Sequence, residues 1–237
     1  MRISGSTALV TGANRGIGRH LAEELLKRGA KVYATARRPE SVGIPGVEVL
    51  KLDITDPVSV KAAAAAAQDV DLLINNAGIA TGTNLVTGDV DTIRRELDTH
   101  FWGTLDMVRA FAPVLAANGG GAIVNVLSAA SWFSYDGNNA YSVAKSAEWS
   151  LTNGVRLELA GQNTLVTGVI LGAADTDIMS GVDYDGPLLD PADVARAALD
   201  GVEAREVEVV VGDWSAHVKA SLAADPSEFY GRLPAAS

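Results

Sequence analysis

The stretch that most constrains the fold of this chain is the turn Thr11–Gly18 (TGANRGIG), which follows a short apolar run and opens a helix-periodic segment. Gly12 permits a tight turn, Gly16 lets backbone N–H groups approach a pyrophosphate, and Gly18 lets the helix pack closely on the strand. A strand, a glycine turn and a helix in this order indicate a dinucleotide cradle. Three glycines in eight residues also occur in ordinary loops, so the rest of the chain has to decide between these two interpretations.

The composition is that of a soluble globular protein, since 48% of the 237 residues are hydrophobic and 20% are charged. The length fits a single domain covering residues 1–237, and the apolar runs are too short to cross a bilayer. Without cysteine there are no disulfides or thiolate zinc sites, and no metal centre is expected. A net charge of -10 with no basic stripe disfavours nucleic acid and acidic membranes as partners. The N-terminus has no apolar signal region, which predicts a cytoplasmic protein.

Hydrophobic periodicity predicts alternating strands and helices. The predicted strands are Ala8–Val10, Lys31–Ala36, Val47–Leu52, Leu72–Ile74, Ala122–Leu127, Thr164–Ile170 and Val207–Val211. The predicted helices are Ile17–Arg28, an alanine-rich helix from Pro57, Asp91–Thr99, Phe101–Ala117, a helix through Tyr141 ending near Ala160, one from Pro191, and Asp213–Ala224. This order predicts an α/β fold with a doubly wound parallel sheet of the Rossmann type, with helices on both faces.

The end of the second predicted strand bears on the choice of cofactor. In nicotinamide-binding folds an acidic residue about 20 positions after the glycine turn binds the adenosine ribose, whereas arginine there suits a 2′-phosphate. Here the strand ends in Ala36, Arg37 and Arg38, and Arg15 in the turn offers a second guanidinium to the same phosphate. These residues predict NADP(H), bound in a 2′-phosphate site with no competing carboxylate, and the alternative is a solvated charge pair before Pro39.

The next two strand ends also face the predicted cofactor. Asp53 follows the third strand, where open parallel sheets bind ligands, and is expected to face an adenine amino group. Asp56 precedes Pro57 and is expected to cap the following helix. The small residues of the run Asn75-Asn76-Ala77-Gly78 would let a cofactor lie close to the backbone.

Ser128 closes the fifth predicted strand, and Tyr141 and Lys145 follow on a helix at positions i and i+4. Because they share one helix face, the ammonium of Lys145 is expected to lower the phenol pKa of Tyr141 from its ordinary value of about 10. Such a tyrosine can donate a proton to a carbonyl oxygen while hydride reaches the carbon, and Ser128 can hydrogen-bond the same oxygen. An isolated pair at this spacing would instead be read as a surface aromatic covered by a lysine stem.

The glycine turn, the run 75–78, Ser128 and the run Tyr141-Ser142-Val143-Ala144-Lys145, in this order and spacing, resemble the single-domain short-chain dehydrogenase/reductase family from about Thr7 to Thr176. The resemblance implies a sheet of about seven strands, an NAD(P) cofactor, and three catalytic residues. Tyr141 would be the general acid/base, Lys145 would bond the nicotinamide ribose, and Ser128 would orient the substrate. It also implies that Asn75 steadies the sheet.

The resemblance, together with the strand ends, gives a set of cofactor-binding residues and an assembly. The cofactor-binding residues are Gly12, Asn14, Arg15, Gly16, Ile17, Gly18, Arg37, Arg38, Asp53, Ile54, Asn76, Ala77, Gly78, Tyr141, Lys145, Gly172 and Thr176. The helices around 101–117 and 140–160 usually form the subunit contact in this family, so a homodimer or homotetramer is expected.

The chain departs from the family pattern at two positions. His100 stands where the family usually has an asparagine that helps to hold a water behind the lysine. The imidazole could serve this proton relay, or it could point elsewhere while its backbone carbonyl holds the water. Leu171 stands where a proline usually follows the sixth strand, so the loop carrying Gly172 and Thr176 is less restricted than usual.

The segment Asp177–Asp190 predicts a lid over the substrate. Trp132, Phe133 and Tyr135 follow Ser128 and could line an apolar wall, as could Met179, or they could be core or interface aromatics. Trp214 or Tyr230 could close the pocket. We therefore expect an NADP(H)-dependent carbonyl reductase or alcohol dehydrogenase acting on a small, largely apolar ketone or aldehyde. The alternatives are an NAD-linked dehydrogenase of a specific metabolite and a non-catalytic NADP(H)-sensing protein.

Overall fold

A computed structural model describes residues 1–180 and 184–231. Its centre is one sheet of seven parallel strands in the order β3-β2-β1-β4-β5-β6-β7. The strands are β1 Thr7–Val10, β2 Lys31–Ala36, β3 Glu48–Lys51, β4 Leu72–Asn75, β5 Gly121–Ser128, β6 Thr164–Leu171 and β7 Glu208–Val211. The predicted doubly wound parallel sheet is confirmed, and every predicted strand is present with bounds shifted by one residue at most at either end.

Helices connect the strands. They are α1 Gly16–Lys27, α2 Pro57–Ala66, α3 Val90–Leu97, α4 Thr104–Ala117, α5 Asn139–Glu158, α6 Pro191–Ala204, α7 Asp213–Ser221 and α8 Pro226–Tyr230. Asp56 caps α2 as predicted, because its side chain accepts a hydrogen bond from the backbone N–H of Val58 at 2.9 Å. The tail holds two helices rather than the single predicted one. No helix in the described part of the chain combines the length and apolar character needed to cross a membrane.

The sheet is covered on both faces, and each face has its own core. On one face α1 and α6 pack over the strands, with Leu21, Leu25, Val194 and Leu199 fully buried. On the other face α2, α4 and α5 form the second core around Phe111. Because both faces are buried, the central strands carry continuous apolar runs rather than alternating ones.

The strand order reverses between β1 and β4, which is where open parallel sheets bind ligands. The carboxyl ends of the central strands carry the glycine turn, Asn75, Ser128 and Leu171 along this edge. Between α3 and α4 the chain makes a π-helical turn, Asp98–Gly103, with His100 at its middle. Such turns accommodate an extra residue within a helix and often occur at functional sites.

Candidate active site

The glycine turn is shaped as a dinucleotide cradle requires. Gly12 has φ +65°, and a Cβ there would lie 3.0 Å from the Cα of Ala77. A Cβ on Gly18 would overlap the carbonyl oxygen of Gly12 and the side-chain amide of Asn76. Larger residues would therefore displace the start of α1 from β4, and the glycines are explained by close backbone approach rather than by an ordinary loop.

The end of β4 is tied to this turn by hydrogen bonds. The hydroxyl of Thr11 accepts from the backbone N–H groups of Asn76 and Ala77 at 2.8 and 2.9 Å. The side-chain amide of Asn76 donates to the carbonyl oxygen of Thr11 at 2.9 Å. Asn76 and Ala77 thus lie directly behind the turn, beside the surface on which a cofactor would rest.

Asn75 lies one residue earlier and bonds within the sheet. Its side-chain amide donates to the side-chain oxygen of Asn125 at 2.9 Å, and the amide of Asn125 donates to the Thr152 hydroxyl at 2.8 Å. This buried chain of bonds joins β4 to β5 and β5 to α5. The contacts are those of a residue that steadies the sheet.

The structure brings a carboxylate to the expected phosphate site. Arg15 Nη1 lies 3.1 Å from Asp177 Oδ2, and both side chains are mostly exposed. The expectation of a 2′-phosphate site without a competing carboxylate is therefore wrong, because the turn after β6 folds back over the glycine turn. Arg37 and Arg38 are exposed at the end of β2 and form no ion pair within the described residues.

Asp53 and Ile54 follow β3 at the same edge of the sheet. The carboxylate of Asp53 accepts hydrogen bonds from the backbone N–H and the hydroxyl of Thr55 at 3.0 and 2.7 Å. Ile54 is buried against the π-helical turn, where a Cβ on Gly103 would lie 3.0 Å from its Cδ1. The carboxylate of Asp53 is partly exposed on the cofactor side of the sheet.

Tyr141 and Lys145 occupy the first turns of α5, as their spacing predicts. The ammonium of Lys145 lies 5.9 Å from the centre of the Tyr141 ring. It donates to the carbonyl oxygen of Val126 at 2.9 Å and to Glu148 Oε2 at 2.7 Å. Ser128 ends β5 and accepts from the backbone N–H of Ala130 at 3.1 Å, which fixes its side chain at the strand end.

Burial raises the pKa of Tyr141 in this structure, while Lys145 and the Ser128 hydroxyl act to lower it. The expected net lowering is thus wrong for the chain alone, because sequence spacing reports the cation but not the burial. Glu148 and Glu96 add to the effect of burial. Lys145 itself is buried, which disfavours its charge, but Glu148 raises the pKa of this ammonium.

His100 points into the site. Its Nε2 lies 2.8 Å from the carbonyl oxygen of Ile79, and its ring packs edge-on against Tyr141 with centroids 5.4 Å apart. Gly78 makes this possible, since a Cβ there would lie 2.7 Å from His100 Cε1. The alternative in which the imidazole points away is wrong, because the glycine opens a slot that the ring fills.

Two buried carboxylates near His100 were not singled out from the sequence. Glu148 Oε2 lies 3.6 Å from His100 Nδ1, and Glu96 Oε2 lies 3.4 Å from His100 Nε2. Glu148 could have been found, since Tyr141, Lys145 and Glu148 follow at i, i+4 and i+7 on one helix face. Glu96 could have been found as well, since Glu96 and His100 stand at i and i+4.

The loop after β6 carries the remaining predicted cofactor residues. A Cβ on Gly172 would lie 3.3 Å from the Trp214 ring. A Cβ on Gly16 would lie 3.3 Å from Cγ2 of Thr176, so Thr176 faces the glycine turn. The lid region continues as a short 3-10 turn, Asp177–Met179, whereas Gly181 lies outside the described residues.

Aromatic side chains form a cluster over the loop that follows Ser128. Phe133 packs against Tyr135, Trp214 and Phe229 with ring centroids 5.8, 5.7 and 5.6 Å apart. The hydroxyl of Tyr230 accepts from the backbone N–H of Ser134 at 3.1 Å. Trp132 packs, as do Phe133 and Phe229, against a small core that contains Leu127 and Val218. The tail helices therefore cover the loop that leaves the catalytic strand end.

A doubly wound parallel sheet with a glycine turn after β1, and with serine, tyrosine and lysine at the carboxyl edge, defines the class of dinucleotide-dependent oxidoreductases. Residues 6–185 match the family model for short chain dehydrogenases. The chain therefore belongs to the short-chain dehydrogenase/reductase family.

Several known proteins resemble the whole chain. The crystal structure of a short chain dehydrogenase from Burkholderia cenocepacia in complex with NADP has 38% identity and a TM-score of 0.93, and each chain is covered completely. An NADP-dependent 3-hydroxy acid dehydrogenase from Schizosaccharomyces pombe is 32% identical, over 90% of this chain and 92% of the relative. A 3-ketoacyl-(acyl-carrier-protein) reductase from Brucella melitensis, complexed with NADH, has 26% identity and a TM-score of 0.81, covering 88% of this chain and 97% of that one.

Proposed function

We propose that the protein is an NADP(H)-dependent carbonyl reductase or alcohol dehydrogenase that acts, as a single domain, on a small, largely apolar ketone, aldehyde or secondary alcohol. The observation that carries the proposal is that Tyr141 stands between the Lys145 ammonium and Ser128 at the carboxyl edge of the sheet. All three lie at the carboxyl edge of the sheet, which also bears the glycine turn.

The residues present fit a nicotinamide dinucleotide. The glycine turn contains positions at which a Cβ would collide with neighbouring atoms, so only glycine fits there. Hydrogen bonds between Thr11 and Asn76 hold the turn against the end of β4. When bound, the cofactor supplies or accepts the hydride. The Tyr141 hydroxyl donates the proton to the carbonyl oxygen in the reductive direction, and the Ser128 hydroxyl donates a hydrogen bond to the same oxygen. The charge of Lys145 favours the phenolate that remains on Tyr141.

The preference for NADP(H) over NAD(H) rests on cations at the end of β2. Arg37 and Arg38 are exposed there, where an NAD-type site would carry an acidic residue. A guanidinium matches the oxygens of a 2′-phosphate in bidentate geometry. The Burkholderia structure binds NADP and the S. pombe relative is NADP-dependent, whereas the Brucella reductase was complexed with NADH. An NAD-linked dehydrogenase is therefore the second candidate.

The substrate class is inferred from the aromatic cluster over the loop after Ser128. Phe133, Tyr135 and Trp214 offer apolar ring faces near the reacting edge. Apolar rings beside the reacting edge favour a largely apolar substrate.

The test is to follow oxidation of NADPH and of NADH with a panel of ketones and aldehydes. We expect NADPH to be consumed with small apolar carbonyl compounds, and Tyr141→Phe to lose about 10²- to 10⁴-fold in turnover, as when a general acid is removed. NADPH binding should survive in that variant because the cradle is unchanged. Near-normal turnover of Tyr141→Phe would sink the assignment. Binding of NADPH without turnover of any compound would favour a cofactor-sensing protein.

We also propose a homodimer or homotetramer. Its contact would use α4, α5 and the π-helical turn before α4, where Trp102, Val143 and Leu157 leave apolar side chains exposed. Exposed large apolar groups on one surface are typical of an interaction site.

A further inference from the structure

Four buried ionisable side chains converge behind Tyr141 from three elements. Lys145 and Glu148 lie on α5, His100 lies in the π-helical turn, and Glu96 lies in the last turn of α3. Each is no more than 5% exposed. Carboxylates face opposite nitrogens of the imidazole, so they do not converge on one point as metal ligands would, and no metal-ligand group occurs in the described residues. With a neutral imidazole the cluster carries one excess negative charge.

Glu148 fixes the direction of the Lys145 ammonium. An ammonium has three N–H donors, and two of these bond the Val126 carbonyl and Glu148 Oε2 at 2.9 and 2.7 Å. The third donor is left for the side on which Tyr141 lies. The other oxygen of Glu148 accepts from the hydroxyl of Thr104 at 3.1 Å, so the carboxylate is itself anchored to α4.

His100 couples this carboxylate to the second one. His100 Nε2 lies 2.8 Å from the carbonyl oxygen of Ile79, which can only accept, and 3.4 Å from the backbone N–H of Ile79, which can only donate. The shorter contact assigns a proton to Nε2. The atom that gains or loses a proton is therefore Nδ1, which is buried without a hydrogen-bond partner within the described residues and faces Glu148 Oε2 at 3.6 Å. Glu96 is held in place by the backbone N–H of Thr81, which donates to its Oε1 at 2.6 Å.

We propose that Glu148 is a positioning residue for Lys145, and that protonation of His100 at Nδ1 controls how completely Glu148 is committed to the lysine. With neutral His100, Glu148 Oε2 serves the ammonium alone. With protonated His100, the same oxygen is shared between the ammonium and the imidazolium. The proposal rests on the proposed reductase function, in which Lys145 assists Tyr141.

The groups facing His100 come from every packed element. They are Glu96 from α3, Lys145, Glu148 and Tyr141 from α5, and the Ile79 backbone from the loop after β4. Burial and Lys145 disfavour the imidazolium, but Glu148 and Glu96 outweigh them and raise the pKa of His100. The chain thus has a histidine, whose protonation depends on neighbouring charges, where the family usually has an asparagine.

The first measurement requires no cofactor. The chain has three histidines, so each imidazole resonance can be assigned by its own glutamine variant and titrated by NMR in the free protein. We expect Glu148→Gln, which keeps the shape but removes the charge, to lower the pKa of His100. Glu158→Gln is the matched control, since Glu158 is an exposed carboxylate at the end of the same helix. An equal His100 pKa in the parent protein and Glu148→Gln would overturn the proposal.

The second measurement uses turnover with NADPH and a carbonyl compound over a range of pH. We expect Glu148→Gln to lower kcat by about 10- to 100-fold, the loss typical of a catalytic group displaced by about an ångström, with a smaller change in KM. The inflection of kcat that His100 causes should move to lower pH in Glu148→Gln and vanish in His100→Gln. Glu158→Gln should match the parent protein within about twofold.

The outcomes separate the two proposals. If the parent protein turns over no carbonyl compound, the proposed function fails, and the NMR titration still tests the coupling of His100 to Glu148. If the pH profile of kcat in the parent protein has no inflection, or has one that remains in His100→Gln, the proposed control by protonation of His100 is overturned. If Glu148→Gln does not fold, Thr104→Val takes its place, because it removes the anchor of Glu148 but keeps all charges. A kcat and pH profile unchanged in Thr104→Val would then count against the positioning role.

Discussion

Arg15 forms an ion pair with Asp177 at the proposed site of the 2′-phosphate. Both side chains of this pair are exposed, by 62% and 63%. Exposed pairs of this kind contribute about 0–1 kcal/mol, so a 2′-phosphate can displace the carboxylate. Asp177 links the cofactor cradle to the start of the lid, and its effect should differ between NADPH and NADH.

The choice of cofactor can be tested by two substitutions in the proposed phosphate site. Arg37→Asp should shift kcat/KM from NADPH toward NADH, since it replaces a phosphate-binding cation with an acid suited to a ribose. Asp177→Asn should tighten NADPH binding by up to about fivefold, which corresponds to about 1 kcal/mol, and leave NADH nearly unchanged.

Asp91→Asn is the matched control, because Asp91 forms an exposed ion pair with Arg94 on α3. Steady-state kinetics and titration by NADPH fluorescence measure both effects. Equal kcat/KM for the two cofactors in the parent protein would contradict the assignment of the arginines.

At the residue scale, the sequence predicts contacts that follow from helix or strand periodicity. Tyr141 and Lys145 lie on one face of α5, as their spacing requires. Asp177 lies 162 positions from Arg15, so no local pattern indicates their contact. The pKa of Tyr141 was predicted in the wrong direction, because the burial that raises it depends on residues from the whole surrounding structure and not on the local spacing.

At the element scale, strands and long helices are predictable, whereas a very short helix and an irregular helical turn are not. The bounds of β2 agree with the prediction at both ends, since the strand lies between a glycine turn and a pair of arginines. The five-residue helix α8 is too short to show a helical period, and it was missed. The π-helical turn was missed too, because one inserted residue changes the hydrogen bonds without a characteristic sequence.

Helix α5 offers a test of the proposed oligomer. Leu157 is 80% exposed on this helix, and an aspartate there would place an unpaired charge within a packed interface. We expect light scattering to give a mass of a dimer or larger for the parent protein, and a smaller mass for Leu157→Asp. Val86→Asp is the control, since Val86 is 97% exposed and belongs to neither α4 nor α5. A monomeric parent protein would rule out the proposed contact.

At the scale of the whole molecule, an apolar core packs against each face of the sheet. The buried charged side chains lie among the helices that cover one of these faces. The sequence predicts the cores, because each follows from apolar runs in the strands and one apolar face of each helix. The buried charges are not predictable in this way, since glutamate and histidine ordinarily lie on the surface. They make the stability of the fold depend on pH.

The sign of that dependence follows from each group. Burial favours neutral Glu148, but Lys145 and His100 lower its pKa from 4.5, so its stabilising effect is present above that value and is lost as pH falls through the native pKa. Burial and Lys145 oppose the charge on His100, yet its pKa is raised from 6.5 by Glu148 and Glu96. The stabilising effect of His100 is therefore full below 6.5 and is lost as pH rises through its native pKa.

Urea unfolding at a series of pH values measures this effect. Above pH 6.5 the free energy of unfolding of the parent protein should fall as pH rises, by up to about 1.4 kcal/mol per pH unit for one proton, until the native pKa of His100 is passed. His100→Gln cannot titrate, so the fall over this range should be smaller in that variant. His20→Gln, which changes a partly exposed histidine on α1, is the matched control. If the free energy of unfolding has the same slope against pH in the parent protein and in His100→Gln, the imidazole has the same proton affinity in the folded and the unfolded chain. Protonation of His100 would then not contribute to the stability of the fold.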